Sequence, residues 1–385
     1  MNRKLIYLSF IRLTDKVSRD WYIDYSIEKG AVVEYWDVVS LVREDHHEHG
    51  MLDVDYLRHI KTYQEFEELI CQPKNIDAVY VMLISYSGRF SKLFRLLSKY
   101  NCKMVFLNWG AMPVVDATEP RWQRIIYKLF TNPANFIKTV VDLMLGYTYR
   151  KLNLVNRFNI VFTAGSALTT VDQYANKIVP FNLCDYEHYC RVNLTNERVV
   201  KGKYAVFLDI NLPYQSDLVI SGLPAVNASC YFKSLNRFFD LLEDAYGVKV
   251  VIAAHPKAAY SNNEYNQREI YSLLTAELVK DAEFVITHTS TALSYAALNL
   301  KPILFIYTDE MAEIYKNNVI REIEGLALYF KVMAYNVDEI TDAYQVDIQR
   351  INHESYEQYK YSFLTSPESE NLMSAEIFWR EIVAL

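Results

Sequence analysis

The sequence predicts an α/β protein built from two Rossmann-like units. Its 385 residues are more than one ordinary α/β domain needs. Apolar runs of strand length alternate with segments whose apolar residues recur with the 3.6-residue period of a helix. This alternation occurs as two separate series, and it is typical of βαβ units on a parallel sheet. We therefore expect ligands at the carboxyl ends of the strands, where such sheets bind them.

The first series begins at the N-terminus. Its predicted strands are KLIYLSF, AVVEYWDV, DAVYVMLIS and CKMVFLNWG. The segment SRDWYIDYSIEKG is predicted to form a helix that ends at Gly30, and GRFSKLFRLLSKYN to form an amphipathic helix between two strands. We assign residues 1–192 to an N-terminal Rossmann-like domain.

The second series begins near residue 203 and supplies the second domain, residues 203–351. Its predicted strands are KYAVFLDI, VKVVIAAHP, EFVITHTS and KPILFIY. Its predicted helices are YFKSLNRFFDLLEDAYG, which stops at Gly247, REIYSLLTAELVKDA and TALSYAALNL. The polar segment VNLTNERVVKGK forms the junction, and residues 352–385 form a helical tail that we expect to pack back on the N-terminal domain.

The composition narrows the classes of function. The net charge of −7 argues against a general nucleic-acid binder, which usually carries a basic balance. Five scattered cysteines favour a reducing compartment, and the N-terminus lacks the pattern of a signal peptide. No apolar window is long enough for a membrane-spanning helix. We expect a cytoplasmic protein, and the absence of a G-x-G-x-x-G fingerprint argues against a dinucleotide oxidoreductase.

One segment is strongly basic although the chain as a whole is acidic. Residues 121–157 contain a single acid, Asp142, and seven basic residues, which are Arg121, Arg124, Lys128, Lys138, Arg150, Lys151 and Arg157. A basic amphipathic helix with aromatic and aliphatic residues can lie on anionic lipid. The segment therefore predicts either peripheral contact with the inner face of the plasma membrane or an ordinary solvated helical face.

Polar residues follow three predicted strands of the second series. Asp209 ends YAVFLD, His255 ends VVIAAHP, and the segment THTST (287–291) ends FVITHTS and opens a helix. Because the carboxyl ends of parallel strands share one edge of a sheet, we expect these groups to converge on one site. Taken singly, each has a structural alternative: a structural histidine, a turn-forming aspartate or a helix cap.

Each of these residue types suits phosphate chemistry. Pro256 restricts the preceding residue to extended geometry, which places His255 where the strand leaves the sheet. A histidine there can donate to a phosphate or protonate a leaving group near neutral pH, and Lys257 adds positive charge. At the helix start, hydroxyls and free backbone N–H groups can hold a phosphate. The residues that would do so are Thr289, Ser290 and Thr291.

The order of an Asp-bearing strand end, His-Pro, Ser-Thr before a helix and a KPILF strand resembles the bacterial GT-B glycosyltransferases of surface polysaccharides. More narrowly, it resembles the CMP-dependent sialyltransferases and the Kdo and other ulosonate transferases, over roughly residues 200–310. The resemblance implies a GT-B fold, with two Rossmann-like domains facing across a cleft. It also implies a donor domain that holds a CMP-activated acidic sugar of the sialic, pseudaminic, legionaminic or Kdo type, with no cofactor and no metal ion. By resemblance, His255 contacts or protonates the CMP phosphate, and Ser290 with Thr291 binds it.

The sequence departs from that family at the acidic motif. Family members often carry two acids and a glycine there, whereas Asp209 is followed by INLPYQSD. The catalytic base is therefore open among Asp209, Asp217 and a residue of the first unit. The stereochemistry, retaining or inverting, is open as well.

The resemblance gives the first domain the task of binding the acceptor, an oligosaccharide or a lipid-linked glycan of the bacterial surface. Residues that follow strands or predicted turns are the candidates for acceptor contacts. They are Gly88 and Arg89 in SYSGRF, Asn108 and Trp109 in FLNWGAMP, and Gly165 and Ser166 in FTAGSALTT.

The segment REDHHEHG places His46, His47, Glu48 and His49 in a row. Adjacent side chains rarely converge as metal ligands must, so we interpret this segment as a solvated loop and predict no metal site.

Two alternatives to the acidic-sugar transferase stay open. A polyol-phosphate transferase of the teichoic-acid type shares the GT-B architecture and a His-Pro element but uses CDP-glycerol or CDP-ribitol. A non-catalytic sugar-nucleotide or glycan-binding protein would keep the same site and tolerate loss of His255 and Asp209.

Overall fold

The computed structural model describes residues 3–41, 51–109, 113, 133–215, 223–261 and 263–385, with 133–135 described by their backbone alone. The histidine-rich segment at 43–50, the basic positions 121–132 and Asp217 lie outside the described residues. The contacts divide the chain into two compact units. The first contains the described residues up to Trp109, those from 133 to Asn182, and Thr365–Leu385, while the second contains Leu183–Leu364.

The first unit is built around a parallel sheet of seven strands in the described residues. They are β1 (Lys4–Ser9), β2 (Val32–Asp37), β3 (Leu57–His59), β4 (Val79–Met82), β5 (Lys103–Asn108), β6 (Phe158–Ala164) and β7 (Ala175–Phe181). Their order across the sheet is β3-β2-β1-β4-β5-β6-β7. The helices are α1 (Asp15–Asp20), α2 (Ile23–Glu28), α3 (Tyr63–Ile70), α4 (Pro73–Ile76), α5 (Ser91–Lys99) and α6 (Pro133–Lys151).

The second unit contains a six-stranded parallel sheet over its described residues. The strands are β8 (Tyr204–Leu208), β9 (Lys249–Ala254), β10 (Ile270–Ser272), β11 (Val285–Thr287), β12 (Ile303–Tyr307) and β13 (Ala334–Asn336), in the order β10-β9-β8-β11-β12-β13. The helices are α7 (Cys184–Asn193), α8 (Ala228–Tyr246), α9 (Thr275–Asp281), α10 (Leu293–Leu298), α11 (Asp309–Ile314), α12 (Val319–Tyr329) and α13 (His353–Tyr359). Both sheets reverse their strand order once, between β1 and β4 and between β8 and β11, as doubly wound sheets do.

The last helix, α14 (Ser374–Ala384), belongs to the first unit. Its Phe378 ring packs against Phe162 of β6 and against Tyr22, with ring centroids 5.3 Å and 5.5 Å apart. The contacts thus divide the chain at 182/183 and 364/365, whereas the sequence analysis placed the limits at 192, 203 and 352. The helix α7 lies in the second unit because Ser294 and Tyr295 of α10 bond to its Asp185.

The strands follow the apolar runs that the sequence analysis identified. Every residue of β4 and β8 is buried, as expected for central strands covered on both faces. The long helix α8 begins where the Asn227 side chain accepts a hydrogen bond from the Cys230 backbone N–H. It ends at Gly247, whose φ of 60° is left-handed.

Two predicted helices are wrong in part. SRDWYIDYSIEKG is split into α1 and α2, because Tyr22 between them has a φ of 60°. REIYSLLTAELVKDA begins with the short strand β10 and turns into α9 only after Leu273, whose φ is 62°. Such a φ interrupts a right-handed helix, and no residue-type signal such as glycine marks either position.

The helix α6 packs through its small and polar side. An ideal Cβ added to Gly88 would lie 2.2 Å from the Asp142 carbonyl oxygen, and one added to Gly146 would lie 3.4 Å from the Gly88 nitrogen. The Arg89 backbone N–H donates to the Asp142 carboxylate. Several apolar side chains of this helix are consequently exposed, among them Ile137, Val141 and Met144. In the described ranges, no helix combines the length and apolar character needed to cross a bilayer.

Candidate functional site

Asp209 follows β8 at the point where the strand order of the second sheet reverses. Its side chain is buried and its carboxylate accepts hydrogen bonds from four groups in the unit. Oδ1 accepts from the Asn211 backbone N–H at 2.8 Å and from the Tyr265 hydroxyl at 3.2 Å. Oδ2 accepts from the His255 backbone N–H at 3.1 Å and from the Tyr260 hydroxyl at 2.9 Å. A carboxylate offers about four lone-pair sites, and this set fills them when the single Tyr260 hydroxyl proton points to Asp209 rather than to Oδ1 of Asn211, 3.0 Å away.

His255 begins a tight turn at the end of β9. Its carbonyl oxygen accepts from the Ala258 N–H at 2.8 Å, and Pro256 occupies the second position of this turn, which its fixed φ suits. The Lys257 backbone N–H donates to Nδ1 of His255 at 3.1 Å. The neutral imidazole therefore carries its proton on Nε2, which makes Nε2 a hydrogen-bond donor.

Asp209 and His255 are thus brought together, as the sequence analysis expected. The bond runs from the His255 backbone to the Asp209 carboxylate, so the aspartate holds the start of the His-Pro turn. The rings of Tyr260 and Tyr265 enclose the carboxylate, and burial followed by the Asp209 charge raises the pKa of the Tyr260 hydroxyl. This arrangement suits a positioning role for Asp209. Its predicted role as base stays a prediction.

The segment after β11 lies beside Asp209 on the other side. The sheet register pairs Leu208 with Ala253 of β9 and with Thr287 of β11, so the residues after all three strands share one edge. The Ser290 hydroxyl accepts from the Ala292 N–H at 3.3 Å within the turn that precedes α10. Thr291 is exposed, and Thr289 and Ser290 are half-buried. The phosphate-binding roles of these three residues stay predictions.

His288 differs from His255 in being fully buried. Its Nδ1 donates to the Ile306 carbonyl oxygen at 2.7 Å, and its Nε2 accepts from the Tyr231 hydroxyl at 2.8 Å. Burial lowers the pKa of His288 to about 4, which the hydrogen bond to Ile306 opposes. This histidine is therefore neutral near pH 7, and its ring packs against Phe207 of β8 and Tyr231 of α8.

The candidate acceptor residue Asn108, which ends β5, belongs to a polar cluster in the first unit. Asn108 donates from Nδ2 to Oδ2 of buried Asp172 and to Oγ1 of Thr169, at 2.9 Å each. Thr163 of β6 also donates to the Asp172 carboxylate. Asn108 therefore ties the loop after β6 to the strand ends.

The other acceptor candidates have different surroundings. The Nε1 of Trp109 is buried and makes no hydrogen bond to any described residue, and its ring packs on Trp21. Gly165 has a φ of 72°, which the turn after β6 requires, and Ser166 is exposed. Gly88 is buried where α6 approaches it, so packing accounts for this glycine. The acceptor roles of these residues, and that of exposed Arg89, stay predictions.

The sequence analysis missed a pair on the same edge of the first sheet. Ser9, Asp37 and His59 end β1, β2 and β3 and are register partners, so their side chains share one face. The side chain of Asp37 is 1% exposed and that of His59 is 48% exposed, and Nδ1 of His59 lies 2.9 Å from Oδ2 of Asp37. Oδ1 of Asp37 accepts from the Val39 N–H at 3.0 Å. A buried carboxylate thus orients an accessible imidazole.

The sequence contained a signal for Asp37 but none for His59. Asp37 ends the predicted strand AVVEYWDV in the same way that Asp209 ends its strand. His59 lies on a three-residue strand that is too short to show a period. Tyr260 and Tyr265 lie in a loop and carried no signal.

In the described parts of the chain, no three His, Cys, Asp or Glu residues come together as metal ligands would. The segment with His46, His47, Glu48 and His49 lies outside these parts, so the predicted absence of a metal site stays a prediction.

No family model matches the sequence, and no curated protein matches it either. Solved structures do resemble the chain. The calicheamicin glycosyltransferase CalG4 aligns over 100% of this chain and 98% of its own, with 11% identity and a TM-score of 0.55. The glycosyltransferase SnogD from Streptomyces nogalater aligns over 100% of both chains, with 10% identity and a TM-score of 0.48. The UDP-GlcNAc 2-epimerase from Methanocaldococcus jannaschii also aligns over 100% of both, with 12% identity and a TM-score of 0.46.

The predicted fold class is confirmed. The two parallel α/β units and the similarity to CalG4 show the GT-B fold. At 11% identity the similarity concerns the fold alone, and one fold serves many functions, so the function must be argued from the site.

Burial of His288 predicts a specific acid sensitivity. The folded pKa, about 4, lies below the value of about 6.5 of an unfolded histidine, so the unfolded chain binds the proton first as pH falls. The stabilisation of the folded state that comes from neutral His288 is fully present above pH 6.5 and is lost as pH falls through about 4. We expect up to about 3 kcal/mol of the free energy of unfolding to disappear over this window.

Denaturant titrations at several pH values between 4 and 7 measure the slope of the free energy of unfolding against pH. His288→Gln should flatten it, and His353→Gln, which removes an exposed histidine, controls for the loss of any histidine. An unchanged slope in His288→Gln would show that other groups cause the acid sensitivity.

Proposed function

We propose that this chain is a glycosyltransferase that moves an acidic sugar from a CMP-activated donor to a hydroxyl of a bacterial surface glycan. The observation that carries the proposal is the His-Pro turn at the switch point of the second sheet. There His255 is held by a buried carboxylate with its proton on Nε2. The GT-B fold and the sequence resemblance support the same assignment.

In this reaction negative charge develops on the phosphate of the departing CMP, and this decides which protein groups can assist. The acceptor oxygen forms a bond to the anomeric carbon while the bond from that carbon to the phosphate oxygen breaks, and the electron pair stays on the phosphate of departing CMP. A donor aimed at that oxygen stabilises the transition state because it is already in place when the charge appears. His255 Nε2–H is that donor in this proposal. The Lys257 ammonium, which is exposed beside it, adds positive charge, as the segment 289–291 adds hydroxyl and backbone donors.

We assign the base to the first unit rather than to Asp209. Asp209 is buried and its carboxylate already accepts from backbone N–H groups and tyrosine hydroxyls, so an acceptor hydroxyl could reach it only by displacing one of these donors. His59 has the features of a general base. Its Nδ1 faces the buried Asp37 carboxylate, which leaves Nε2 as the basic nitrogen, and its imidazole is accessible.

The order of the row Ser9, Asp37 and His59 supports a base rather than a nucleophile. Asp37 stands between the other two, so His59 cannot take a proton from Ser9. Ser9 is also fully buried, and its oxygen accepts from the Ile11 N–H at 2.9 Å. In this proposal His59 takes its proton from a bound molecule, the acceptor sugar held by the first unit.

We also propose that α6 rests on an anionic membrane surface, where lipid-linked acceptors are found. Ile137, Val141 and Met144 follow the spacing of one helical face, and they are 59%, 48% and 66% exposed. The opposite side packs against Gly88 through Gly146 and Asp142, so the exposed face points away from that contact among the described residues. Lys138 and Lys151 supply positive charge on the same helix, which suits anionic lipid better than a neutral protein surface.

The nucleotide assignment predicts selective stabilisation by CMP. A ligand that binds only the folded state raises the melting temperature according to its affinity. We expect CMP to raise it more than UMP, UDP, GDP or NAD at equal concentration, and His255→Ala to abolish most of this shift. His353→Ala, a substitution of a distant exposed histidine, should keep it. Thermal-shift measurements on the full chain test both expectations.

Three outcomes would revise the assignment. A preference for UDP or GDP would overturn the donor class. Transfer from CDP-glycerol or CDP-ribitol, and not from a CMP-ulosonate, would identify the polyol-phosphate transferase. Stabilisation by CMP with normal glycan assembly in His255→Ala cells would identify a non-catalytic binding protein.

The base assignment predicts a selective loss of turnover in His59→Ala. We expect kcat to fall by about 10²- to 10⁴-fold, the usual contribution of general base catalysis, with the CMP-induced thermal shift unchanged. Added imidazole should restore part of kcat, because it can occupy the space of the missing ring. Arg58→Ala, on the preceding exposed position, is the control. Full activity in His59→Ala would exclude this base.

The membrane proposal predicts that Met144→Asp weakens binding to phosphatidylglycerol vesicles. Loss of about 1.5 kcal/mol or more of apolar burial corresponds to at least about a tenfold weaker association. Vesicle cosedimentation measures this, and Leu328→Asp, at a 74% exposed leucine of α12, is the matched control. Equal binding of both variants would assign the outer face of α6 to another partner.

A further inference from the structure

The first unit contains a small cavity that none of the proposed steps uses. Its volume is about 140 Å³, and its polar lining comes from Tyr86, Arg150, Asn153, Asn156, Arg157 and Tyr174. Arg157 and Tyr174 directly precede β6 and β7, whereas the site residues described above follow strands. The cavity therefore lies away from the carboxyl edge of the sheet, and we name it the Arg150 pocket.

The end of α6 fixes the backbone of Arg150. The Asn153 N–H donates to the Arg150 carbonyl oxygen and the Leu154 N–H to that of Tyr149, at 3.0 Å and 2.9 Å, with Asn153 at a φ of 53°. These are the two bonds of a Schellman ending, in which asparagine can take the left-handed position. Arg150 is thus held at the pocket by local geometry.

Two aromatic rings hold the guanidinium of Arg150. Its Cζ lies 4.3 Å from the ring centroid of Tyr86 and 3.3 Å from that of Tyr174. The side chain is half-buried, and burial lowers the pKa of Arg150. Arg157 lies beside it and donates from Nη1 to the Ala175 carbonyl oxygen at 3.4 Å.

No carboxylate pairs with either guanidinium in the part of the chain that the structure describes. The pocket lining contains no acid at all. A cation–π contact stabilises an arginine less than the partial burial of its charge destabilises it, so a half-buried arginine is normally paired with an anion as well. Arg150 contacts the rings of Tyr86 and Tyr174, but no described carboxylate neutralises its charge.

The donors and the size of the pocket identify the missing group. Two guanidinium groups and two carboxamides offer more N–H donors than a single carboxylate can accept, and guanidinium groups bind phosphate through paired hydrogen bonds. The volume equals the room of about four or five water molecules at about 30 Å³ each, which suits one phosphate group and is too small for a nucleotide.

We propose that the Arg150 pocket binds a single phosphate group through the guanidinium groups of Arg150 and Arg157. The phosphate can belong to a lipid headgroup, since Arg150 lies in the last turn of α6, or it can be free inorganic phosphate. The proposal goes beyond the proposed transferase function and does not depend on the identity of the sugar donor.

Titration calorimetry on the full chain tests the pocket with two probes, inorganic phosphate and dioctanoyl phosphatidic acid below its micelle concentration. We expect one phosphate per chain, bound at least tenfold more weakly by Arg157→Gln and by Arg150→Gln. Because Arg157 is exposed, its substitution leaves folding intact. Arg95→Gln removes an exposed arginine that stacks on Tyr149 and does not line the pocket, so it should bind as the wild type does.

The two probes distinguish the source of the phosphate. Binding of phosphatidic acid at least tenfold tighter than that of inorganic phosphate assigns the pocket to a lipid headgroup, and equal binding assigns it to free phosphate. His255→Ala should retain this binding, which separates the pocket from the nucleotide site. The proposal is overturned if neither probe binds the wild type or if Arg157→Gln and Arg150→Gln bind both probes unchanged.

Discussion

The second unit depends on one buried carboxylate at the end of its central strand. Asp209 accepts from two backbone N–H groups and two tyrosine hydroxyls, which fixes the residues after β8 and the first residue after β9 to one another. Burial of a charge is unfavourable unless hydrogen bonds replace its water, and this requirement makes the arrangement specific. His255 takes its place from this carboxylate and its tautomer from the tight turn of which it is the first residue.

The first unit applies the same constraint at two other positions. Asp37 is buried after β2 and binds the Val39 N–H and His59, while Asp172 is buried near the ends of β5 and β6 and binds Asn108 and Thr163. In each case an acid at the carboxyl edge organises groups that come from different strands. The carboxylates themselves are buried, so the groups that can contact a bound molecule are their hydrogen-bond partners. This division explains why a histidine, rather than an aspartate, is the better candidate base.

The helix α6 shows how a single contact can determine which surface a unit presents. Because Gly88 lacks a side chain, the helix approaches it through Asp142 and Gly146, and Ile137, Val141 and Met144 on the opposite side are exposed. The same helix ends in a turn that delivers Arg150 between two tyrosine rings. An outward apolar face and a cation without an anion are both costly for a protein in water. Both costs are removed if lipid and phosphate are the natural contacts of this region.

The amino-acid sequence alone was enough to predict the α/β class, the two series of strands and the convergence of Asp209, His255 and the segment 289–291 on one sheet edge. It could do so because apolar runs and parallel strand order are local patterns with a fixed geometric consequence. It failed at Tyr22 and Leu273, whose left-handed φ values carry no residue-type signal, and at β3, which is too short to show a period. Three features could be found only in the folded chain: tyrosines enclose Asp209, Asp37 orients His59, and α6 exposes several apolar side chains. These features depend on contacts between residues far apart in the chain, and the free energy of such contacts is set by burial and hydrogen-bond partners that no single segment contains.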